Sequence, residues 1–145
     1  MRGFFGIGVY RPKTEINIGT LWRHAYIYNA AFIFTIEKRY HRQRSDTLAV
    51  PNHVPLYHYE TIEDFNTHLP YDTHLIAIEL TKNAVALSTY KHPKRAVYLL
   101  GAEDDGLPDA VLDLAQEVIY IESFKAISLN VATAGTLVMY DRYAK

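Results

Sequence analysis

Three short segments of this sequence carry residue types that could bind a ligand or stabilise a reacting group. NIGTLWR, residues 17–23, combines an amide, a glycine and a guanidinium. GAEDDGL, residues 101–107, places two glycines around acidic side chains, and SLNV, residues 128–131, places a hydroxyl and an amide before an apolar run. Backbone N–H groups at helix starts can hold the acceptor groups of a ligand, and a guanidinium can clamp a phosphate. The three segments therefore indicate a ligand-binding site.

The first segment also has an explanation that needs no ligand. Asn17 is a favourable N-cap residue and predicts the start of a helix. An apolar stripe follows at helical spacing, formed by Ile18, Leu21, Trp22 and Ala25. The polar residues share the opposite arc of the helix, namely Asn17, Thr20, Arg23 and His24. An exposed polar face with a cap is therefore an alternative to a binding site.

The glycines of the second segment could likewise be simple turn residues. Gly101 and Gly106 permit backbone conformations and close approaches that other residues forbid, and Glu103 offers an acceptor between them. The spacing is neither the dinucleotide fingerprint, which needs three glycines, nor the phosphate loop, which needs a Gly-Lys pair.

The third segment opens a helix that is apolar on nearly every side. Ser128 is predicted to cap this helix, and Asn130 to lie in its first turn. One side of the helix carries small residues and the rest carries large apolar ones: Ala132, Ala134, Gly135, Leu137, Val138 and Met139. Because an apolar helix must be covered on all sides, a second subunit could supply part of the cover.

Alternating strands and helices would position these segments. Apolar runs predict strands at residues 4–10, 30–36, 74–80, 95–101 and 117–121. Helices are predicted from residue 17, at 60–68, from Pro108 to about 116, and at 128–143. Residues 37–58 have no clear period and contain two prolines, which predicts a long loop. This alternation is typical of an α/β fold with a parallel sheet covered by helices on both faces, whose ligands bind beyond the carboxyl ends of the strands.

Composition narrows the classes of function. A chain of 145 residues with 49% apolar content predicts one globular domain spanning 1–145. The formal net charge of -1 means that any nucleic-acid surface must be a local patch, and KRYHRQR, residues 38–44, is a candidate. The absence of cysteine excludes disulfides, thiolate zinc sites and thiol catalysis. The chain has no apolar run of the ~18 residues that a membrane helix needs, so a cytoplasmic protein is expected.

In this order, the three segments resemble the motifs of the SpoU (TrmH-type) methyltransferases of the SPOUT superfamily. That family has an Asn-x-Gly-x-x-x-Arg helix start, a Gly-x-Glu-x-x-Gly-Leu loop and a Ser-Leu-Asn-Val helix start. All three patterns stand in this sequence, at 17–23, 101–107 and 128–131. The resemblance spans nearly the whole chain, and the chain is similar in its small size to the minimal, TrmL-like members. The sequence departs from the family pattern at Glu122, where proline is common in the family.

The resemblance implies a fold and a cofactor. The fold would be an α/β sheet whose C-terminal segment forms a deep trefoil knot. S-adenosylmethionine would bind in the knot, against the loops that follow the third, fourth and fifth predicted strands. The implied cofactor-binding residues are Leu80, Gly101, Glu103, Gly106, Ile121 and Leu129. No metal is implied.

The resemblance also implies a reaction and partners. The usual reaction of the family is methylation of an RNA ribose 2′-hydroxyl by a homodimer, with tRNA favoured here over rRNA. Arg23 matches the catalytic position of the family, and Asn17, Ser128 and Asn130 would position the substrate and order the wall of the pocket. Arg23 is often drawn as the base in the family, but a guanidinium is effectively always protonated, so it would act as the base only where a phosphate relays the proton. Otherwise Arg23 would clamp a phosphate and stabilise the developing alkoxide.

Two alternatives remain open from the sequence. The chain could be a non-catalytic RNA-binding dimer that retains the fold, or an unknotted α/β phosphate or nucleotide binder in which the motif matches are accidental. Binding of S-adenosylmethionine would separate the unknotted phosphate or nucleotide binder from the other two hypotheses. A methylation assay would separate the methyltransferase from the non-catalytic RNA-binding dimer. Residues 38–44 would hold RNA phosphates and stack an exposed base, or form a solvated charged loop. Ser45 and Asp46 would belong to the same substrate surface.

Overall fold

The computed structural model describes residues 3–41, 50–102 and 105–145. Seven strands occur within these ranges: Phe4–Tyr10 (β1), Phe32–Ile36 (β2), Leu56–Tyr59 (β3), His74–Ile78 (β4), Val85–Ala86 (β5), Arg95–Gly101 (β6) and Glu117–Tyr120 (β7). The described α-helices are Glu15–Ile27 (α1), Ile62–Thr67 (α2), Asp109–Leu112 (α3) and Val131–Ala144 (α4). Short 3-10 turns occur at Val50–Asn52 and Leu87–Thr89.

The strands form one sheet in the order β3-β2-β1-β6-β4-β7-β5, and each pair of neighbours is parallel. One face carries α1 and α4 over a core that includes Ile7 and Val9, and the other face carries α2 and α3 over a core that includes Phe34 and Leu99. The predicted parallel α/β sheet with helices on both faces is confirmed. The trefoil knot stays a prediction.

The close packing of α4 on α1 and the sheet depends on Gly135. A Cβ atom at this position would lie 2.6 Å from Leu21 Cδ1 and 3.1 Å from Leu100 Cδ1. Because real Cβ atoms do not approach other atoms so closely, a larger residue would push the helix away from its neighbours. The small residues that the sequence shows on one side of this helix therefore face α1 and the sheet.

The prediction of a loop over residues 37–58 is wrong in its last part. β3 pairs with β2, and Ile33 N donates to the carbonyl of Pro55 just before the strand. Pro55 and the polar His58 hide the strand from a search for apolar alternation. His58 is accommodated because its Nδ1 lies 2.8 Å from Thr35 Oγ1 on β2. β5, which has two residues, is too short to leave a pattern in the sequence.

Three predicted helix boundaries are corrected by the structure. α1 begins at Glu15, so Asn17 lies in its first turn and is not the N-cap. α4 begins at Val131 and its N-cap is Asn130, not Ser128, because Asn130 Oδ1 accepts hydrogen bonds from the N–H groups of two first-turn residues. α3 is only one turn long, and Pro108 is its N-cap.

The carboxyl end of α4 is held by a buried cluster. The His92 side chain has no exposed surface, its Nε2 lies 2.8 Å from Asp141 Oδ2, and its Nδ1 lies 2.6 Å from the Tyr98 hydroxyl. A neutral ring that donates from Nε2 and accepts at Nδ1 satisfies both partners. Burial lowers the pKa of His92, with the hydrogen bond and charge of Asp141 opposing the shift. Burial raises the pKa of Tyr98 to about 12.

Two basic side chains near the end of α4 bind the backbone of the segment between β5 and β6. Arg142 donates to the carbonyls of Pro93 and Lys94, at 2.7 and 2.9 Å. Lys145 Nζ donates to the carbonyls of Leu87, Ser88 and Tyr90 and pairs with Asp141. With His92, these bonds fasten residues 87–94 to the end of the helix; we call them the α4 lock.

Candidate active site

A cavity of about 500 Å³ opens at the carboxyl edge of β6, β4 and β7. These strands are neighbours in the parallel sheet, so the loops that follow them converge at one edge. The cavity is lined by residues 78–81, 100–102 and 105–107, by Asp109 and Leu112, and by part of the segment 120–134. The volume falls within the range of roughly 300–1,000 Å³ that is usual for sites of small molecules and cofactors.

The cavity brings together most of the residues predicted to bind the cofactor. Leu80, Gly101, Gly106, Ile121 and Leu129 all line it, as does Ser128. They come from three separate segments at the carboxyl ends of β4, β6 and β7, and the first and last of them are 49 positions apart in the sequence. Glu103, the remaining predicted residue, lies outside the described residues. Contact of these residues with a cofactor stays a prediction.

Glu79, at the end of β4, ties two of the cavity loops together. Its Oε1 accepts from Leu80 N at 3.0 Å, and its Oε2 accepts from Leu107 N at 2.8 Å. Gly106 has a φ of +62°, and a Cβ there would lie 2.5 Å from Glu79 Oε2. The glycine is therefore required both by the backbone conformation and by the carboxylate. Sequence reasoning missed Glu79, and its one signal was an acidic residue ending an apolar strand.

Glu122 ties the third loop to the segment before β6. Its carboxylate accepts from Ser88 N at 3.2 Å and from Ser88 Oγ. The hydrogen bond from Ser88 is the main cause that lowers the pKa of Glu122. Since Glu122 directly follows Ile121, the bond fixes the chain where it leaves the cavity wall. The departure from the family pattern at this position thus carries a specific contact.

The first and third sequence motifs meet at two asparagines. Asn130 Nδ2 donates to Asn17 Oδ1 at 3.0 Å, while Asn130 Oδ1 accepts from Ala132 N and Thr133 N. In these three bonds the amide nitrogen of Asn130 donates and its oxygen accepts, so the orientation of the side chain is fixed. Neither asparagine lines the cavity, but Leu129 and Val131 on either side of Asn130 do.

Arg23 lies on the exposed side of α1, outside the cavity lining. Its neighbour His24 joins α1 to α4, because His24 Nδ1 lies 2.5 Å from Thr136 Oγ1, and that hydroxyl donates to Ala132 O at 2.7 Å. The ring nitrogen is therefore the donor to Thr136. Burial, and then the charge of Arg23, lower the pKa of His24. The position of Arg23 thus depends on the packing of α1 against α4.

Basic side chains lie at the same sheet edge, beyond the ends of β1 and β2. Arg11 pairs with Glu37, and Arg39 pairs with Glu60 at 2.8 Å. Lys13 Nζ lies 3.5 Å from Asp105 Oδ2, and Asp105 lines the cavity. This contact places the basic group next to the cavity. Of the predicted RNA-binding segment, residues 42–46 lie outside the described residues.

Neither a membrane span nor a metal centre is found in the described part of the chain. None of its helices has the length and apolarity that crossing a membrane requires. Among the residues of 3–41, 50–102 and 105–145, no cluster of three or more His, Asp or Glu side chains is arranged to hold a metal ion.

The model of the SpoU rRNA Methylase family matches residues 5–140. The class of protein that the fold and the cavity define is therefore an α/β methyltransferase, and the chain belongs to the SpoU rRNA Methylase family. Membership confirms three predictions from the sequence: an enzyme of the RNA methyltransferase class, S-adenosylmethionine as the methyl donor, and an RNA substrate. A search of curated proteins gave no match.

Solved structures support the fold. A protein described in structural work on the 2-OH methylation of C/U34 on tRNA superposes with a TM-score of 0.82 at 22% identity, covering 97% of this chain and 95% of its own. An AdoMet-bound rRNA methyltransferase from Sinorhizobium meliloti gives 0.85 at 23% identity, and A. aeolicus TrmH/SpoU tRNA modifying enzyme gives 0.87 at 17%. The match to the Sinorhizobium meliloti structure covers 99% of this chain and 57% of that one, and the match to the A. aeolicus structure covers 99% of this chain and 75% of that one.

Proposed function

We propose that this protein transfers a methyl group from S-adenosylmethionine, bound in the cavity, to the 2′-hydroxyl of a ribose in tRNA. The observation that carries the proposal is the convergence of three loops, with five of the six predicted cofactor residues, on one cavity. The match to the tRNA-modifying structure runs over nearly the full length of both chains, which favours tRNA over rRNA.

The chemistry of the cavity fits the proposed cofactor. Ile78, Leu100 and Ile121 offer apolar walls for an adenine ring, and Glu79, Asp105 and Asp109 offer carboxylates. S-adenosylmethionine carries a positive sulfonium and an ammonium, which acidic surroundings favour. When bound, it supplies an electrophilic methyl group. Leu80, Gly101 and Leu129 would hold it largely through their backbone, with Gly106 and Ser128 shaping the pocket.

Arg23 would act on the substrate side of the reaction. A ribose hydroxyl is a poor nucleophile until its proton begins to leave. The guanidinium would clamp an RNA phosphate and stabilise the developing alkoxide, while the Asn17–Asn130 pair keeps α1 and the cavity wall in register. Holding oxygen, methyl carbon and sulfur in line can supply up to roughly 7–11 kcal/mol of the barrier.

The proposed enzyme is a homodimer. α4 buries Val131, Ala132, Ala134, Gly135, Val138 and Met139, yet it exposes Leu137, Tyr140 and Tyr143. α1, which packs beside it, exposes Ile16 and Ile27. These side chains give the two helices an apolar outer surface, which supports an interface with a second copy. Sedimentation at micromolar concentration would test this assignment.

The proposed fold includes the trefoil knot. β7 lies between β4 and β5, although β4 and β5 are joined by the short segment 79–84. The α4 lock then binds the end of α4 to residues 87–94, which follow β5 directly. Both observations support a chain end that passes through the loop connecting β4 to β6.

Calorimetry with S-adenosylmethionine, followed by a transfer assay, tests the function. The protein is expected to bind the cofactor and to transfer labelled methyl groups to bulk tRNA from a strain lacking the gene. At the one modified position, the phosphodiester bond next to the methylated ribose should resist alkaline cleavage. Cofactor binding without transfer to tRNA or rRNA would favour the non-catalytic RNA-binding dimer. Failure to bind the cofactor would contradict the proposal.

A further inference from the structure

The segment that follows β7 forms the outer rim of the cavity. All residues from Glu122 to Asn130 are exposed, and the segment has no helix or strand. Ser123 and Ala126 line the cavity, whereas Phe124 and Lys125 between them do not. Phe124 has a relative exposure of 106%, so its ring projects into solvent at the mouth.

The tip of this rim is held in shape by its own backbone. The Lys125 carbonyl accepts from Ser123 Oγ at 2.6 Å and from Ile127 N at 2.7 Å. Within the described part of the chain, the structure records no ring, ionic or hydrogen-bond partner for the side chains of Phe124 and Lys125. A large aromatic ring is therefore presented beside a cation on a short turn that its own hydrogen bonds fix.

We propose that Phe124 stacks on a nucleobase of the RNA substrate, and that Lys125 binds a phosphate of the same strand. The inference rests on the proposed function. A ribose can enter a cavity only if its nucleotide leaves the helical stack, and an unstacked base is stabilised by the face of an aromatic side chain. We call Phe124 and Lys125 the stacking rim.

The chemistry of the rim favours RNA over a second copy of the chain. Lysine is depleted in the cores of protein interfaces, because its ammonium is costly to dehydrate. A nucleotide, by contrast, presents a flat base and an anionic phosphate within the reach of adjacent residues. Glu122, the one acidic residue of the segment 122–130, has its carboxylate bound to Ser88. Stacking also explains an aromatic ring in full contact with water.

Two matched variants of Phe124 test the stacking role. Phe124→Tyr keeps the π face, while Phe124→Leu keeps an apolar side chain without it. With bulk tRNA from the deletion strain and labelled cofactor, we expect Phe124→Leu to lower kcat/KM for RNA roughly 10-fold, and Phe124→Tyr to stay near the unaltered protein. The dissociation constant of S-adenosylmethionine and the sedimentation coefficient should change in neither variant.

Lys125→Gln gives an independent readout. Removing one phosphate contact should reduce the slope of log affinity for tRNA against log salt by about 0.7. Equal kcat/KM values for the leucine variant and the unaltered protein would overturn the inference alone. A loss in the leucine variant that coincides with dimer dissociation would assign the ring to the second copy instead. Absence of transfer by the unaltered protein would overturn the proposed function, and this inference with it.

Discussion

At its carboxyl end, α4 is held by buried and charged side chains, whereas at its amino end it follows nine exposed residues, 122–130. The carboxyl end combines a fully buried His92, its partner Asp141 and the carbonyls of residues 87–94. The segment before its first turn is joined to the rest of the protein mainly through Asn130, Leu129 and the cavity wall. One helix therefore has a fastened end and an open end.

This difference separates stability from function along one element. Regions with few buried contacts open at low cost, and binding loops are drawn from such regions. The α4 lock keeps the helix in place while the open end remains accessible to a cofactor and to RNA. Substitutions of lock side chains such as His92 should mainly change stability, and substitutions at the open end should mainly change binding or activity.

Arg23→Ala is expected to have the largest effect on function. Loss of a group that stabilises charge in the transition state costs about 10²–10³ in rate, so kcat/KM for RNA should fall by that factor. Affinity for S-adenosylmethionine should stay within a few-fold, because Arg23 lies outside the cavity lining. Single-turnover kinetics and calorimetry measure the two quantities.

Arg95→Ala is the matched control. Arg95 is exposed at the opposite, amino edge of the sheet, where it donates to Tyr71 O, so its loss should leave the rate unchanged. A large loss of cofactor affinity in the Arg23 variant would show that its assigned role is wrong.

His92→Ala is expected to have the largest effect on stability. It removes a buried ring with two hydrogen bonds and leaves the Tyr98 hydroxyl without that partner, a loss of about 1–3 kcal/mol. The melting temperature should fall by several degrees. Cofactor affinity of the folded protein should not change. His53→Ala, which removes an exposed histidine stacked on Tyr26, should leave the melting temperature within error.

The pH dependence of stability should identify the same histidine. Burial lowers the pKa of His92 in the folded state, so the unfolded chain binds a proton at higher pH than the folded chain does. The stabilising contribution is complete above about pH 6.5, the ordinary value, and is lost as pH falls towards the lowered pKa. Each proton contributes at most about 1.4 kcal/mol per pH unit.

His24 has a pKa shifted in the same direction, so the two must be separated. Between pH 7.5 and pH 5.5, the melting temperature should fall less in His92→Gln than in the unaltered protein. Adding His24→Gln should reduce this fall further. An unchanged slope in His92→Gln would contradict the assignment of a neutral buried ring.

Elements with strong local patterns could be predicted from the sequence. β1 and β6 are found at the predicted bounds of Phe4–Tyr10 and Arg95–Gly101, because buried central strands read as continuous apolar runs. β3 could not be found in this way, since an edge strand needs only a few residues and tolerates a proline before it.

The meeting of the cavity loops at one edge of the sheet could be predicted from the sequence, but the hydrogen bonds that hold these loops together could not. Leu80, Gly101 and Ile121 follow parallel strands, so their meeting at one edge follows from the order of the elements. The bonds of Glu79 to Leu107 and of Glu122 to Ser88 join positions 28 and 34 residues apart, and no local pattern records them. The choice of Asn130 over Ser128 as the cap likewise coincides with a tertiary contact, because the Asn130 amide also reaches Asn17.

Asn130→Ala tests the open end itself. Loss of the N-cap should lower the free energy of unfolding by about 1 kcal/mol, and loss of the bond to Asn17 should lower activity as well. Asn130→Ser keeps a capping oxygen but cannot donate to Asn17 in the same way. If Asn130→Ser is more stable than Asn130→Ala but no more active, then the cap supports stability and the bond to Asn17 supports activity. Restoration of both would show that Asn17 plays no part through this bond.

The smallest expected effect falls where the fastened and open ends meet. Ser88 belongs to the segment bound by Lys145, and it donates to Glu122 beside the cavity residue Ile121. Glu122→Ala should weaken cofactor binding a few-fold, because the third loop loses this anchor, and Ser88→Ala should weaken it less, because Ser88 N can still donate to Glu122. The double variant should be no worse than Glu122→Ala, since that change already removes both bonds. Additive losses in calorimetry would mean that the two residues act separately, and that the lock does not reach the cofactor site through this pair.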